Sequence, residues 1–560
     1  MSSVTTILRN ATVVDGTGLP GSRADLAFCD GVIVAVGEID PDPSAVEVDL
    51  TGLVLAPGFV DIHTHYDAQV SWDATLSPSS WHGVTTVVQG NCGFGVAPVR
   101  ASDRDLAMET LSLVEGMRLD TLKAGMRWEY ESFPDYLDML RRLPKSINIA
   151  PMVPHTPLRV FVMGDEAAFS RAATGDERNE MQRLLREAMH AGAIGFSTSQ
   201  APSHHGPHGR PVPSRFADVE ELRALLEVLA DLGRGIAEIT YGDILEIEDC
   251  ARLSKETGVR ITWGSVLPGL FGPPGAALEM LERGKSVEGG DIWPQTSTRF
   301  ITTLHSMRNP NTWARVPTHQ DVIGCSVDKQ MSIYADRAWR EQVIAEGQEL
   351  CRTTNFLDHD MDWWFERTSV VETEAHKDLI GISLLELGRK RGEHPFHTMI
   401  DLALEENLET RFQTRSRATY DELRALVQDR RTVLGAHDGG AHVDMLCDAC
   451  FPTYTLRYWV REEGALTVEE AVYRLAGQPA EVFGLTNRGF IKPGLAADLV
   501  AFDPATVGET EFERLYDFPA DGDRLISRAI GIHHTWVAGV PIVTDGELLI
   551  DAAPGQVVSA

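Results

Sequence analysis

Basic residues are scarce in this chain. Its 560 residues hold 50 lysines and arginines against 82 aspartates and glutamates, a formal net charge of −32 at pH 7 with histidine neutral. So acidic a surface repels phosphate backbones and anionic lipid, which excludes nucleic acid and membrane surfaces as partners and leaves a small-molecule substrate. Long apolar runs are lacking too, with nothing near the ~18 residues of a membrane span. Cysteine is thin and odd in number, seven residues, which argues against a disulfide framework and for a reducing compartment. The opening MSSVTTILRNATVVDG has no basic region leading into an apolar one, so no signal peptide and a cytoplasmic location are expected. No fixed-period repeat or low-complexity tract occurs. What is present, 43% hydrophobic and 24% charged residues, is an ordinary globular composition. At ~150 residues per domain the length suggests about 3.7 domains, although α/β barrels run to ~250 residues as single units.

Residues 1–55 alternate short apolar runs with Asp-Gly and Pro-Gly turns, as in ILRNATVVDGTG and VEVDLTGLVLAPG. This is the pattern of short antiparallel strands. Residues 486–560 repeat it in GLAADLVAFDP and HHTWVAGVPIVTDGELLI. The two flanks are expected to form one small β-sandwich built from both chain ends, with the C-terminal tail attached. Between them, over 56–485, apolar runs (VTTVVQGN, INIAPMV, AIGFSTS, GIAEIT, VRITWGSV, TVLGAHDGG) alternate with helix-period stretches such as DERNEMQRLLREAMHAG and DVEELRALLEVLADLGR. Such alternation implies βα units and an α/β fold, and their number favours a closed (β/α)8 TIM-like barrel. A Trp- and His-rich stretch around 300–378 breaks the rhythm and reads as an insertion near the barrel mouth.

Three strand ends carry chemistry. In APGFVDIHTHYD, His63 and His65 stand two apart, so both side chains leave one face at the strand's C-terminal rim, where barrel enzymes collect catalytic groups. Two imidazoles there suit a divalent transition metal. A bare His-x-His also occurs as two satisfied structural histidines, but the preceding Pro-Gly and the following Asp67 favour the metal. In GVTTVVQGNCGFG, Cys92 follows the next strand and offers a soft ligand compatible with zinc. In RTVLGAHDGGAHVD, Asp438 ends a late strand, suited to hold a metal-bound water and take its proton. His437 and His442 flank it, either orienting substrate or standing by.

These stretches resemble the amidohydrolase superfamily, and within it the N-acyl-D-amino-acid deacylases. Further support comes from AGAIGFSTS and the closing GQPAEVFGLTNRGFIKPGLAADLVAFD. The resemblance implies a metal-dependent barrel with a small β-domain that hydrolyses amides. It implies that His63, His65 and Asp438 serve the metal centre and that Cys92 replaces the usual carbamylated lysine. The deacylase pattern also has Ser-His at the ends of two middle strands, both imidazoles binding zinc beside the Cys. Here those strands read GRGIAEITYGD and VRITWGSVL, with no histidine in either. Glu238 is a substitute oxygen ligand in the first, and Trp263 is none in the second. The Lys of the family's Ser-His-x-Lys, which meets the substrate carboxylate, is missing as well. A single zinc ion is therefore expected rather than two.

Other candidates face the same rim. His155, in APMVPHTPLRVFVMG, stands where the deacylases carry a substrate-facing histidine. The polar loop SHHGPHGRPVPSR brings His204, His205 and Arg215 to the mouth, where Arg215 has the fork for a carboxylate. Cys447 and Cys450 have redox or zinc spacing, but without a second pair a packed helix start is the better reading. The expected activity is cleavage of an amide of an N-acyl amino acid or related small amide by metal-activated water. The alternative is a hydrolase of the same fold acting on a cyclic amide, an aryl amide or a lactone. The eleven tryptophans leave room for an interface between copies, so a homo-oligomer is compatible with the sequence.

Overall fold

Strands made of apolar and β-branched residues, buried on both faces, form the centre of the molecule. The computed structural model describes residues 6–559 apart from 243–244, 270–273, 301, 310, 324, 355 and 417. The central strands are β1 (Phe59–Thr64), β2 (Val84–Gln89), β3 (Asn148–Pro154), β4 (Gly195–Ser199), β5 (Ile236–Thr240), β6 (Ile261–Gly264), β7 (Ile292–Thr296) and β8 (Val433–Leu434). They lie in sequence order, each parallel to the next. The ring closes through a bridge between Thr64 and Gly439, where His65 N donates to Gly439 O at 2.7 Å. The fold is a (β/α)8 barrel. The β7 strand had no readable signature: Pro294 sits mid-strand, unusual for a sheet interior, and Gln295 and Thr296 end it polar.

The outer helices follow from local chemistry. Among them are α1 (Arg104–Val114), α2 (Gly175–Ala191) and α3 (Val219–Leu232). Helix α2 starts in a reciprocal capping box between Thr174 and Glu177 and stops at Gly192, whose φ of 119° suits a residue without Cβ. Its buried residues Met181, Leu185, Ala188 and Met189 repeat at helical spacing and face the barrel.

Between β7 and β8 the chain makes a long excursion. Thr302–His305 and Thr368–Glu372 pair antiparallel with Arg411–Arg415. Their layer shares a separate core running from Met307 to Phe412. The insertion, expected around 300–378, thus continues through the helices Leu384–Arg391 and Pro395–Glu405. These have the amphipathic pattern of barrel helices but pack on the insertion's own aromatics, as in the Trp313–Phe396 contact at 4.7 Å.

Both chain ends meet in one mixed nine-stranded sheet. Val54–Pro57 pairs antiparallel with Leu499–Phe502 over a core that includes Leu8, Leu26, Phe28, Leu55, Leu499 and Trp536. The segment 508–530 leaves that sheet and reaches the barrel mouth, where Leu525 N donates to Val443 O at 2.6 Å and Arg524 Nη1 to Ser77 Oγ at 2.8 Å. All seven cysteines are free. No helix among the described residues is long and apolar enough to cross a membrane.

The seam depends on Gly440. Its φ is +89°, and a Cβ there would lie 2.8 Å from Tyr66 Cδ1 and 3.0 Å from the His65 carbonyl carbon. Gly440→Ala is expected to cost about 1–3 kcal/mol, read as a lower urea midpoint. An unchanged midpoint would show that the seam does not need this glycine.

Candidate metal centre

The strand ends bring four donors together. His63 Nε2 lies 3.3 Å from Cys92 Sγ and 3.2 Å from Asp438 Oδ1, and His65 Nε2 lies 3.7 Å from the same Asp438 oxygen. One ligand atom each from His63, His65 and Cys92 fall within 4.8 Å of one another. The backbone sets this up. Cys92 takes a φ of +54° in the tight turn after β2, and its N–H donates to Glu238 Oε2 at 2.8 Å. Asp438 takes a φ of +49° in the loop after β8.

The metal-facing atoms are backed from behind. His63 Nδ1 meets Gln295 Oε1 at 2.6 Å, and Gln295 Nε2 in turn donates to Thr262 Oγ1 at 3.0 Å. His65 Nδ1 lies 3.3 Å from Glu115 Oε1. Nothing in the sequence around Glu115 gave it away, since it follows an ordinary helix rather than a strand. Gln295 was hidden with its strand.

Charge is one-sided here. Asp61, Asp67, Glu115 and Glu238 are buried and Asp438 is half-buried, with 32% of its side chain exposed. Among the described residues, histidines are the only basic side chains paired with these five. Burial pushes Asp61, Asp67 and Glu238 up to about 7 and Glu115 well above the usual range. Burial also pushes the Cys92 thiol up to about 12, against the pull of His63. For Asp438 burial is outweighed by the hydrogen bonds and charges of His63 and His65, which hold it well below the carboxylate range. For His63 burial is outweighed by Cys92 and Asp438, so it takes up a proton readily, while burial lowers His65 to about 4. The donor set, with acids outnumbering its basic partners, fits a divalent cation.

The middle strands differ from one another. Glu238 points inward, its Oε1 accepting from Thr240 Oγ1 at 3.2 Å. Trp263 lies level with Ile239 and turns outward, its ring 4.6 Å from Tyr241 in the core beneath the helices. The inward position at that strand end is Gly264, where a Cβ would fall 2.8 Å from Glu238 Oε1 and 3.9 Å from His63 Cε1.

Of the remaining sequence candidates, His204 stands close to the donors: His442, Asp438 and His65 all act electrostatically on it, and burial lowers it to about 3. Its Nδ1 meets Ser199 Oγ at 2.7 Å and its ring meets Phe94 at 5.0 Å. Arg215 braces that loop through Nη1, which donates to Pro202 O at 3.2 Å and His204 O at 3.4 Å. His205 Nδ1 meets Ser203 O at 3.1 Å. His442 ties its main-chain N to Glu115 O at 2.5 Å. His437 is buried, stacked 3.8 Å from Phe451, with Nε2 accepting from Thr298 N. His155 has both ring nitrogens engaged, with Thr198 Oγ1 and Glu221 Oε1, each at 2.8 Å, so it is not turned toward the donors. A shallow pocket opens beside Asp438, lined also by Gln69, Cys447, Asp448 and Arg524.

A profile described as the amidohydrolase family matches residues 46–543. The chain belongs to the amidohydrolase family. Over 544 residues, 96% of this chain and 94% of the relative, it is 29% identical to a D-aminoacylase of Alcaligenes xylosoxydans xylosoxydans. Over 560 residues, 99% and 94%, it is 29% identical to an N-acyl-D-aspartate deacylase of the same organism. A solved D-aminoacylase, whose binuclear metal center has been studied, superposes with a TM-score of 0.67 at 26% identity over 99% of each chain. The present chain is thus a metal-dependent amidohydrolase, an enzyme acting on carbon–nitrogen bonds other than peptide bonds.

His155 in this amidohydrolase belongs to a buried support beneath the rim. Arg159 and His155 both bind Glu221, outweigh its burial and bring its carboxyl from 4.5 down to about 2. Because the folded value is the lower one, this stabilisation is present above pH 4.5 and is lost as the pH falls toward 2. Glu221→Gln should therefore cost about 3 kcal/mol at pH 7 and roughly half of that at pH 3. Urea midpoints of both proteins at the two pH values check this, and an equal gap at both would remove Glu221 as a charged support.

Proposed function

We propose that this amidohydrolase removes the acyl group from an N-acyl amino acid, preferring the D-enantiomer, at a single zinc ion held by His63, His65, Cys92 and Asp438. The observation that carries the reading is that His63 Nε2, at the closing seam of the barrel, stands 3.3 Å from Cys92 Sγ and 3.2 Å from Asp438 Oδ1. Preference for the D-enantiomer rests on the two deacylase relatives, each aligned along nearly the whole chain. One ion fits better than two because β6 presents Gly264 to the centre and turns Trp263 away, while Glu238 remains as an oxygen donor. Seven free cysteines fit a cytoplasmic enzyme.

Zinc bound there supplies Lewis acidity toward the acyl carbonyl and toward an attacking water. Asp438, exposed to the adjoining cavity, takes the proton of that water and returns it to the leaving nitrogen. We assign contact with the scissile amide to His204, on which Asp438 and His65 act electrostatically, and to His442 of the seam loop. Arg524 lines the pocket beside Asp438 with its guanidinium committed to Asp517 and Ser77, and Arg215 holds the His204 loop in place.

His63→Ala should lose the ion and all hydrolysis of N-acyl amino acids. Asp438→Asn keeps an oxygen donor but cannot take the proton, so it should retain most of its zinc and lose about 10²–10⁴-fold, in kcat more than in KM. Zinc counts per chain and turnover of N-acyl amino acids in both enantiomers check both. Full activity of a zinc-free His63→Ala protein, or turnover confined to cyclic amides, aryl amides or lactones, would overturn the reading.

A further inference from the structure

Glu115 enters the centre from outside the barrel. It is the residue after α1, and its side chain is 5% exposed. Oε1 lies 3.3 Å from His65 Nδ1, and the Glu115 carbonyl accepts from His442 N at 2.5 Å. The chain then turns at Gly116, φ +63°, where a Cβ would stand 3.1 Å from His442 Nδ1. One residue thus grips a metal-facing imidazole with its side chain and the loop carrying Asp438 with its main chain.

The two imidazoles are backed alike in geometry and by different groups. His63 Nδ1 meets the neutral amide of Gln295, and His65 Nδ1 meets a carboxyl. A neutral imidazole carries one N–H, and donating it from Nδ1 leaves the Nε2 lone pair to face a cation. An acidic partner also makes the ring a stronger donor, the arrangement by which outer carboxylates tune metal-binding histidines.

We propose that Glu115 is the positioning residue of this centre, holding His65 in its Nδ1–H form, aiming Nε2 at the cation and so setting how tightly the cation is held. The inference rests on the reading that a cation is bound by His63 and His65, and it adds a residue that neither the motifs nor the strand ends point to. A simple staple between α1 and the barrel would make a different demand, since removing it would lower stability without changing affinity.

The experiment is competition for zinc between the full-length protein and a chromophoric chelator, with the urea midpoint of the zinc-free proteins measured alongside. Glu115→Ala should bind zinc 10- to 100-fold more weakly. Glu115→Gln keeps the shape and an accepting oxygen but not the ionisable carboxyl, and should fall between Glu115→Ala and the unchanged protein. Affinity within twofold of the unchanged protein in Glu115→Ala overturns the inference, whatever the midpoint does. If Glu115→Ala does not fold, Glu115→Gln decides alone, and equal affinity there overturns the inference. An unchanged protein that holds no zinc would overturn the proposed function itself, a result distinct from equal affinities.

Discussion

The hydrogen bond from His65 N to Gly439 O, 2.7 Å long, holds the two ends of the barrel together. With β8 only two residues long, the ring of strands would otherwise stand open between β8 and β1. The loop that makes the closure is costly. Ala436, Asp438 and His442 all adopt left-handed backbone, at φ 55°, 49° and 49°, and each such residue costs on the order of 1–3 kcal/mol. It persists because it is pinned along its length: His437 Nε2 accepts from Thr298 N, Gly439 O from His65, and Val443 O from Leu525, while His442 N donates to Glu115. The bonds that close the barrel are therefore the bonds that aim Asp438 at His63 and His65. Architecture and chemistry share one seam.

That seam also concentrates negative charge. Five carboxyls and a thiol gather where, among the described residues, only histidines pair with them, and burial works against the charge of most of them. Removing acids from water without a compensating partner is strongly unfavourable. A cation bound by the proposed centre would relieve this conflict, so metal binding and stability would be linked.

His63, His65, Cys92 and Asp438 were legible because strand ends have a fixed polarity: an apolar run ending in a ligand-type residue marks the C-terminal rim of a parallel barrel. The β-rich flanks were legible from their turns. The β7 strand was not, because Pro294 and Gln295 spoil its apolar run, and with it went the partner of His63. Glu115 was invisible for a different reason, since its role comes from tertiary placement of a helix end, on which local pattern is silent. His155 shows the converse: its strand-end position suggested substrate, but the residues that claim it, Thr198 and Glu221, lie 43 and 66 positions away. The insertion's later helices carry a barrel-like periodicity, and only the packing of residues such as Leu384 and Phe396 into the cluster around Trp313 shows that they belong to another core.

The most direct test of the account is anomalous X-ray diffraction at the zinc edge from crystals of the zinc-loaded protein. The expected result is one fully occupied peak at bonding distance, about 2.0–2.3 Å, from His63, His65, Cys92 and Asp438. A peak elsewhere, or a second fully occupied peak between Cys92, Glu238 and Gly264, would contradict it.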